Sequence, residues 1–86
     1  MDREEIASKV KEMIADVGDL EAESIGSSDD FVEDLQLDSL ALLELGVDVD
    51  YEFKLGLPDE RLQQLRTVNE TVELVLEHLG QAREVA

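Results

Sequence analysis

Apolar residues recur at helical spacing in the first part of the chain, where charged residues separate them. These apolar positions are Ile6, Val10, Met13, Ile14 and Val17. Their spacing predicts a helix over about residues 3–17. Asp2 can cap the start of this helix, with Glu5 at the reciprocal position of a capping box. Gly18 is a natural stop.

A second stretch with helical spacing predicts a helix over about residues 39–53, with Asp38 as its N-cap. One apolar stripe runs along this helix and consists of Leu42, Leu45, Val49 and Phe53, widened by Leu43. Leu40 and Val47 lie partly off the stripe. Gly46 falls in the middle of the helix on its core side, where glycine costs about 1 kcal/mol relative to alanine.

Two further helices are predicted in the last third of the chain. Pro58 can open a short third helix that ends near Leu65. Thr67-Val68-Asn69-Glu70 has the pattern of a capping box and predicts the start of a fourth helix. Its apolar positions are Val68, Val72, Val75, Leu76 and Leu79. Gly80 predicts the end of this helix, and residues 81–86 are expected to fray.

A long loop over residues 18–37 separates the first two helices and is rich in Asp, Glu, Ser and Gly. Its apolar residues can pin it across a helical core, and they are Ile25, Phe31, Leu35 and Leu37. A loop of this length is unusual in a small domain and is often functional. Since no strand alternation is visible, the sequence predicts an all-α fold. We expect a single domain over residues 1–86, a four-helix bundle with this long loop and a short third helix.

The charge of the chain adds an expectation about its partners. Asp and Glu number 23 against 7 Lys and Arg, for a formal net charge of −16, and no basic residue lies between Lys11 and Lys54. Such a surface repels phosphate backbones, which argues against nucleic-acid binding. It attracts basic protein surfaces and speeds their encounter.

The same composition limits where the protein works. No segment approaches the roughly 18 apolar residues that span a bilayer, and the acidic N-terminus does not resemble a signal peptide. There is no cysteine, which excludes disulfides and thiolate metal sites. We therefore expect a cytoplasmic monomer that does not enter membranes.

Ser39 is the residue that carries the candidate chemistry. It lies in the first turn of the second helix, at the end of the long loop. Unpaired N–H groups and the positive end of the helix dipole favour a phosphate ester at such a position, whereas the charge of Asp38 opposes it. Taken as a dipeptide alone, Asp38-Ser39 is more often a simple helix cap.

The wider pattern around this serine resembles the acyl carrier protein family. The attachment motif of that family, Asp-Ser-Leu preceded by Phe and Asp-x-Leu, is matched by Phe31, Asp34, Leu35 and Asp38-Ser39-Leu40. The resemblance continues through Glu44, Leu45, Val49, Phe53, Leu57-Pro58-Asp59-Glu60 and Thr67-Val68. It covers roughly residues 3–80, which is most of the chain.

This resemblance implies that Ser39 receives 4′-phosphopantetheine from coenzyme A through a phosphopantetheinyl transferase. Asp38 would help to orient that reaction, by way of the transferase's Mg²⁺. The terminal thiol of the arm would hold acyl groups as thioesters, and the chain would be a non-catalytic carrier. Leu40, Glu44 and Val47 fall where the family's second helix meets partner enzymes. Those partners would be a loading ligase or acyltransferase and synthase or condensation enzymes with basic docking surfaces.

Three residues bear on the pathway that the carrier would serve. Leu37 and Ala41 differ from the residues that are common in carriers of fatty-acid synthesis. Gly46 allows two interpretations, either close helix packing or an enlarged pocket for the acyl chain. We hypothesise from these three residues that the carrier serves a specialised pathway, such as polyketide or lipopeptide assembly, rather than primary fatty-acid synthesis.

Two other functional classes are disfavoured by the sequence. An enzyme built on Ser39 would need a base, yet the only histidine is His78 in the distant last helix. A calcium sensor is suggested by Asp48-Val49-Asp50, but Tyr51-Glu52-Phe53 follows where an EF-hand loop needs a further oxygen ligand and glycine.

Two alternatives share the fold and stay open. The first is an acidic interaction module without a prosthetic group, in which Ser39 stays unmodified. The second is a peptidyl or aminoacyl carrier. Because Gln36-Leu37 stands in the region where peptidyl carriers usually have Gly-Gly, acyl cargo is favoured over aminoacyl cargo.

Overall fold

Four α-helices build the fold in the computed structural model, which describes residues 2–57 and 59–85, without the side chains of Asp59 and residues 80–85. The helices are α1 (Arg3–Gly18), α2 (Ser39–Phe53), α3 (Asp59–Leu62) and α4 (Val68–Val85). A long loop joins α1 to α2, and no strand occurs in the described residues. The predicted all-α fold, with its long loop and short third helix, is confirmed.

Capping side chains start α1 and α4 where the sequence predicted. Asp2 Oδ1 accepts the N–H of Glu5 at 2.9 Å. Thr67 Oγ1 accepts the N–H of Glu70 at 3.1 Å. Each bond satisfies a donor that has no partner within the helix, so the cap fixes the residue at which the helix begins.

The end of α1 lies one residue later than predicted. Gly18 is the last helical residue, and Asp19 takes the left-handed conformation with φ 54°. The N–H of Asp19 donates to the carbonyl of Ala15. Aspartate tolerates this conformation better than most residues, so the chain can turn there without glycine.

The third and fourth helices correct two predicted boundaries. α3 spans only Asp59–Leu62, not residues 58–65, and Pro58 lies outside the described residues. α4 continues through Gly80 to Val85, so the predicted stop at Gly80 is wrong. A glycine ends a helix when the chain takes a left-handed turn there. Gln81, Ala82 and Arg83 instead favour helix continuation. Fraying of residues 81–86 stays a prediction.

The core lies where α1 meets α2 and α4, with α3 packed on α2. α1 contributes Ile6, Val10 and Ile14; α2 contributes Leu45, Val49 and Phe53; α4 contributes Val68, Val72 and Val75. Ile25, Phe31 and Leu37 are also buried, while Leu35 is half-buried, so the loop is pinned as predicted. In the described part of the chain, no helix is long and apolar enough to cross a bilayer.

Candidate functional site

Asp38 caps α2 and sets the position of Ser39. Its backbone is extended, with φ −87° and ψ 178°, and its Oδ1 accepts the N–H of Ala41 at 2.8 Å. Its carbonyl accepts the N–H of Leu42 at 2.9 Å, the first helical bond. Ser39 is therefore the first residue inside the helix, as predicted.

The hydroxyl of Ser39 is exposed and makes no hydrogen bond with any residue that the structure describes. The capping interpretation accounts for Asp38 but leaves Ser39 without a structural role. Asp38 accepts only the N–H of Ala41, and in the described part of the chain the N–H groups of Ser39 and Leu40 have no partner at the positive end of the helix dipole. A phosphate ester on Ser39 would lie at this end of the helix, where the N–H groups favour an anion. The exposed position and these donors fit such a group, although the charge of Asp38 opposes it.

The backbone just before α2 is held by two contacts of Leu37. Gln36 takes a left-handed conformation with φ 59°, after which Leu37 turns inward and its N–H donates to the carbonyl of Phe31 at 2.9 Å. A Cβ at Gly18 would lie 2.8 Å from Leu37 Cδ2. The missing side chain of Gly18 thus makes room for Leu37, which anchors the loop against the end of α1.

A tight turn further upstream connects the loop to the segment between α3 and α4. Asp30 Oδ1 accepts the N–H groups of Val32 and Glu33 at 2.8 and 2.9 Å. The bond from Glu33, then that from Val32, and more weakly the charge of Arg66 lower the pKa of Asp30 below its ordinary value of 3.8. The N–H of Phe31 donates to the carbonyl of Arg66 at 2.6 Å. The loop is therefore fixed in its middle, at Asp30 and Phe31, as well as at Leu37 just before α2.

A shallow cleft of about 290 Å³ adjoins the start of α2. Its lining comes from the end of α1, the end of the loop and the first two turns of α2, and consists of Val17, Gly18, Gln36, Leu37, Asp38, Leu40, Ala41 and Glu44. Both neighbours of Ser39 line the cleft, but Ser39 does not. Ser39 is exposed beside this cleft and does not line it.

The three residues expected to meet partner enzymes are brought together on the outward side of α2. Leu40 is 64% exposed, Val47 is 51% exposed, and Glu44 between them is exposed as well. Tyr51 lies one turn beyond Val47 and is 84% exposed. Tyr51 is absent from that expectation, because Leu40, Glu44 and Val47 come from the family resemblance and not from the spacing along the helix. The spacing 40, 44, 47 and 51, itself helical, could have revealed it.

Gly46 is buried in α2 at the contact with α3. A Cβ there would lie 3.0 Å from Leu62 Cβ, which is closer than side chains normally pack. Leu62 itself is buried and fills the space above Gly46. Of the two interpretations, this contact supports close helix packing.

Asp50 and His78 are the residues on which the two disfavoured functional classes depend, and the structure places both. Asp50 uses its Oδ1 to accept the N–H groups of Gly56 and Leu57, at 2.7 and 3.3 Å, and so closes the turn after α2. Within residues 2–57 and 59–85, no three acidic, histidine or cysteine side chains are grouped to hold a metal ion. His78 is half-buried on α4, in a pocket with Leu57 and Arg61.

Comparisons with known proteins agree with this geometry. The family model described as "Phosphopantetheine attachment site" matches residues 8–75. The chain is 40% identical to the acyl carrier protein of Rubrobacter xylanophilus over 78 residues, which is 91% of this chain and 96% of that protein. It is 38% identical to the acyl carrier protein of Coprothermobacter proteolyticus over 92% of this chain and 96% of that one.

A more specialised relative is also similar. The meromycolate extension acyl carrier protein of Mycobacterium tuberculosis is 36% identical over 85% of this chain and 64% of its own length. The family match covers well over half of the chain, and the relatives match nearly all of it. The chain therefore belongs to the acyl carrier proteins, which are non-catalytic carriers with covalently bound 4′-phosphopantetheine.

Proposed function

We propose that this protein carries acyl intermediates as thioesters on a 4′-phosphopantetheine arm attached to Ser39, and moves them between the enzymes of a biosynthetic pathway. The observation that carries the proposal is the exposed hydroxyl of Ser39, which has no hydrogen-bond partner among the described residues and lies at a helix start that Asp38 already caps. A side chain with no role in the fold, next to free backbone donors, suits covalent attachment of an anion.

Attachment transfers one group from coenzyme A to the protein. The Ser39 hydroxyl gives up its proton to the transferase, and its oxygen bonds to the phosphorus that carries pantetheine. The pyrophosphate bond of coenzyme A breaks, and adenosine 3′,5′-bisphosphate leaves. Exposure of Ser39 at the tip of α2 allows an enzyme to reach this oxygen.

Asp38 has a second role in this proposal. One of its oxygens caps α2, while the side chain as a whole is exposed. The other oxygen is thus free to face the Mg²⁺ of the transferase and to orient the reacting groups. A carboxylate suits this use because hard divalent cations prefer oxygen ligands.

The outward side of α2 supports the proposed contact with partner enzymes. Leu40 and Val47 offer a small apolar surface, and Glu44 adds charge between them. Such a surface favours fast, electrostatically steered binding and rapid release. A carrier that serves several enzymes in turn needs this combination, because a tight complex would hold it back.

The hypothesis about the pathway depends on Leu37, Ala41 and Gly46. Leu37 and Gly46 have packing partners, Gly18 and Leu62, that account for them without reference to cargo. Three residues suggested polyketide or lipopeptide assembly rather than fatty-acid synthesis. Of these, only Ala41 still supports that hypothesis. Mass spectrometry of thioesters on protein isolated from its native host tests the hypothesis. Branched or aromatic acyl groups, or several oxygens along one chain, would support it. The straight-chain intermediates of fatty-acid elongation alone, including their 3-oxo and 3-hydroxy forms, would contradict it.

Intact-mass measurement tests the attachment itself. The apo-protein is incubated with coenzyme A, Mg²⁺ and a broad-specificity phosphopantetheinyl transferase. We expect the protein to gain the mass of one phosphopantetheine. Ser39→Ala should gain nothing, since it lacks the accepting oxygen.

Ser8→Ala is the matched control, because Ser8 is also exposed and alanine suits its position within α1. This variant should be modified like the wild-type protein. A wild-type protein that stays unmodified with a competent transferase would favour the acidic interaction module. A mass gain on Ser39→Ala would place the arm elsewhere.

A further inference from the structure

Tyr51 is the most exposed large apolar residue on α2, and the family motif does not explain it. Its side chain is 84% exposed, and it follows Val47 by one helical turn. Together with Leu40, Glu44 and Val47 it forms a stripe, which we call the outer stripe, on the side of α2 opposite to the buried residues. Solvent-exposed aromatic rings in line with other apolar side chains are typical of binding surfaces.

Some acidic residues of α2 and its N-cap contact other residues of the protein, and others do not. Asp38 caps the helix, Asp50 closes the turn that follows it, and Glu52 Oε2 lies 3.4 Å from Lys9 Nζ. Glu44 and Asp48 make no hydrogen bond or ion pair with any residue in the described part of the chain. Glu44 lies within the outer stripe and Asp48 lies beside it. Both carboxylates are therefore available to pair with basic side chains of a partner.

The length of the outer stripe matches a single protein interface. Tyr51 lies twelve positions after Ser39, which corresponds to about 18 Å along the helix axis. A typical interface covers about 800 Å² on each partner, a patch roughly 30 Å across. An enzyme that must contact Ser39 itself can therefore also cover Tyr51. The phosphopantetheinyl transferase is such an enzyme, because its reaction takes place at the serine oxygen.

We propose that Tyr51 anchors the docking of the phosphopantetheinyl transferase on the outer stripe. The ring would enter an apolar recess of the transferase, and Lys or Arg side chains around that recess would face Glu44 and Asp48. This inference rests on the proposed attachment at Ser39 and adds a residue that sets the affinity for the enzyme. Buried aromatic anchors surrounded by polar contacts are the usual form of binding hot spots.

Steady-state kinetics of the modification by a broad-specificity transferase and coenzyme A test this role. We expect Tyr51→Ala to lower kcat/KM for the carrier by about fivefold or more, mainly through a higher KM, as for a hot-spot residue. Tyr51→Phe should stay within about twofold of wild type, because it keeps the ring. Since the side chain is exposed, both variants should keep the wild-type thermal midpoint.

The dependence of kcat/KM on salt distinguishes the contribution of the Tyr51 ring from that of the Glu44 and Asp48 charges. Added NaCl should lower kcat/KM of the wild-type protein, since it screens the attraction between the two surfaces. The double variant Glu44→Gln, Asp48→Asn should flatten this dependence, whereas Tyr51→Ala should leave its slope unchanged. Glu12→Gln removes an exposed charge from α1 and is the control, which should match wild type.

Tyr51→Ala with wild-type kcat/KM would overturn the inference, and so would an equal loss in Glu12→Gln. A failure of this kind leaves Ser39 modified in every variant and so leaves the attachment intact. The opposite case, in which even the wild-type protein is never modified, would refute the proposed function and the docking role together.

Discussion

The two sides of α2 both carry apolar residues, but only one side is buried. The inner side buries Leu45, Val49 and Phe53 against the other helices, and the outer stripe leaves Leu40 and Tyr51 in water. Each buried aliphatic side chain contributes about 1.5–3 kcal/mol to folding, while an exposed one contributes little. The inner side is thus explained by the fold. The outer side is not, and it is the side to examine for function.

The largest expected contrast is between two leucines of α2. Leu45 is 2% exposed and Leu40 is 64% exposed. We expect Leu45→Ala to lower the free energy of unfolding by about 2–5 kcal/mol, because it removes packed atoms and leaves a cavity. Leu40→Ala should change it by less than about 0.5 kcal/mol. Urea unfolding followed by circular dichroism measures both.

One outcome of these unfolding measurements would contradict the exposure of Leu40. Equal destabilisation by the two substitutions would mean that Leu40 is packed in solution and that the outer stripe is part of the core. In that case the stripe could not serve as a docking surface.

A middle-sized effect is expected at the start of α2, where Asp38 serves both the fold and the proposed reaction. Asp38→Ala should lower stability by about 0.5–2 kcal/mol through loss of the cap. Asp38→Asn should keep most of that stability, since asparagine caps helices as well as aspartate. If the carboxylate orients the transferase reaction, both variants should be modified more slowly.

Thermal unfolding and modification rates, measured on the same two variants, separate these roles. A wild-type modification rate for Asp38→Asn would reduce Asp38 to a cap alone.

The smallest expected effect lies in the turn at Asp30, away from both sides of α2. The pKa of Asp30 is lowered in the folded chain, so its contribution to stability is present above pH 3.8. That contribution is lost as the pH falls through the lower folded value. We expect the amide signals of Val32 and Glu33 to shift below pH 3.8, as the bonds to Asp30 weaken.

NMR titration of the wild-type protein and of Asp30→Asn tests this prediction. The variant has no carboxyl group at this position, so its two amide signals should lack this transition. A transition of Asp30 at or above its ordinary value would contradict the account of the turn.

Local signals in the sequence were sufficient for most of the fold. The bounds of α2 agree with the prediction because a capping aspartate precedes it and an apolar stripe runs to Phe53. The burial of Ile25, Phe31 and Leu37 followed from their isolation in a polar loop. The predicted end of α4 at Gly80 is wrong, because helix-favouring residues follow this glycine and the chain does not turn there.

Contacts between distant parts of the chain could not be predicted in the same way. The space that Gly18 leaves for Leu37 depends on how the loop returns to α1. The contact of Gly46 with Leu62 likewise depends on the approach of α3 to α2. In the sequence Gly18 indicates a helix stop, and Gly46 indicates either close helix packing or a pocket. Neither interpretation identifies Leu37 or Leu62 as the side chain that a Cβ would press against.

The central claim is that Ser39 bears the arm, and tandem mass spectrometry of protein purified from its native host tests it most directly. Because no basic residue lies between Lys11 and Lys54, trypsin should release residues 12–54 as one peptide that holds Ser24, Ser27, Ser28 and Ser39. Fragmentation of this peptide should locate one phosphopantetheine on Ser39. An arm on another serine, or a peptide with none at all, would contradict the account.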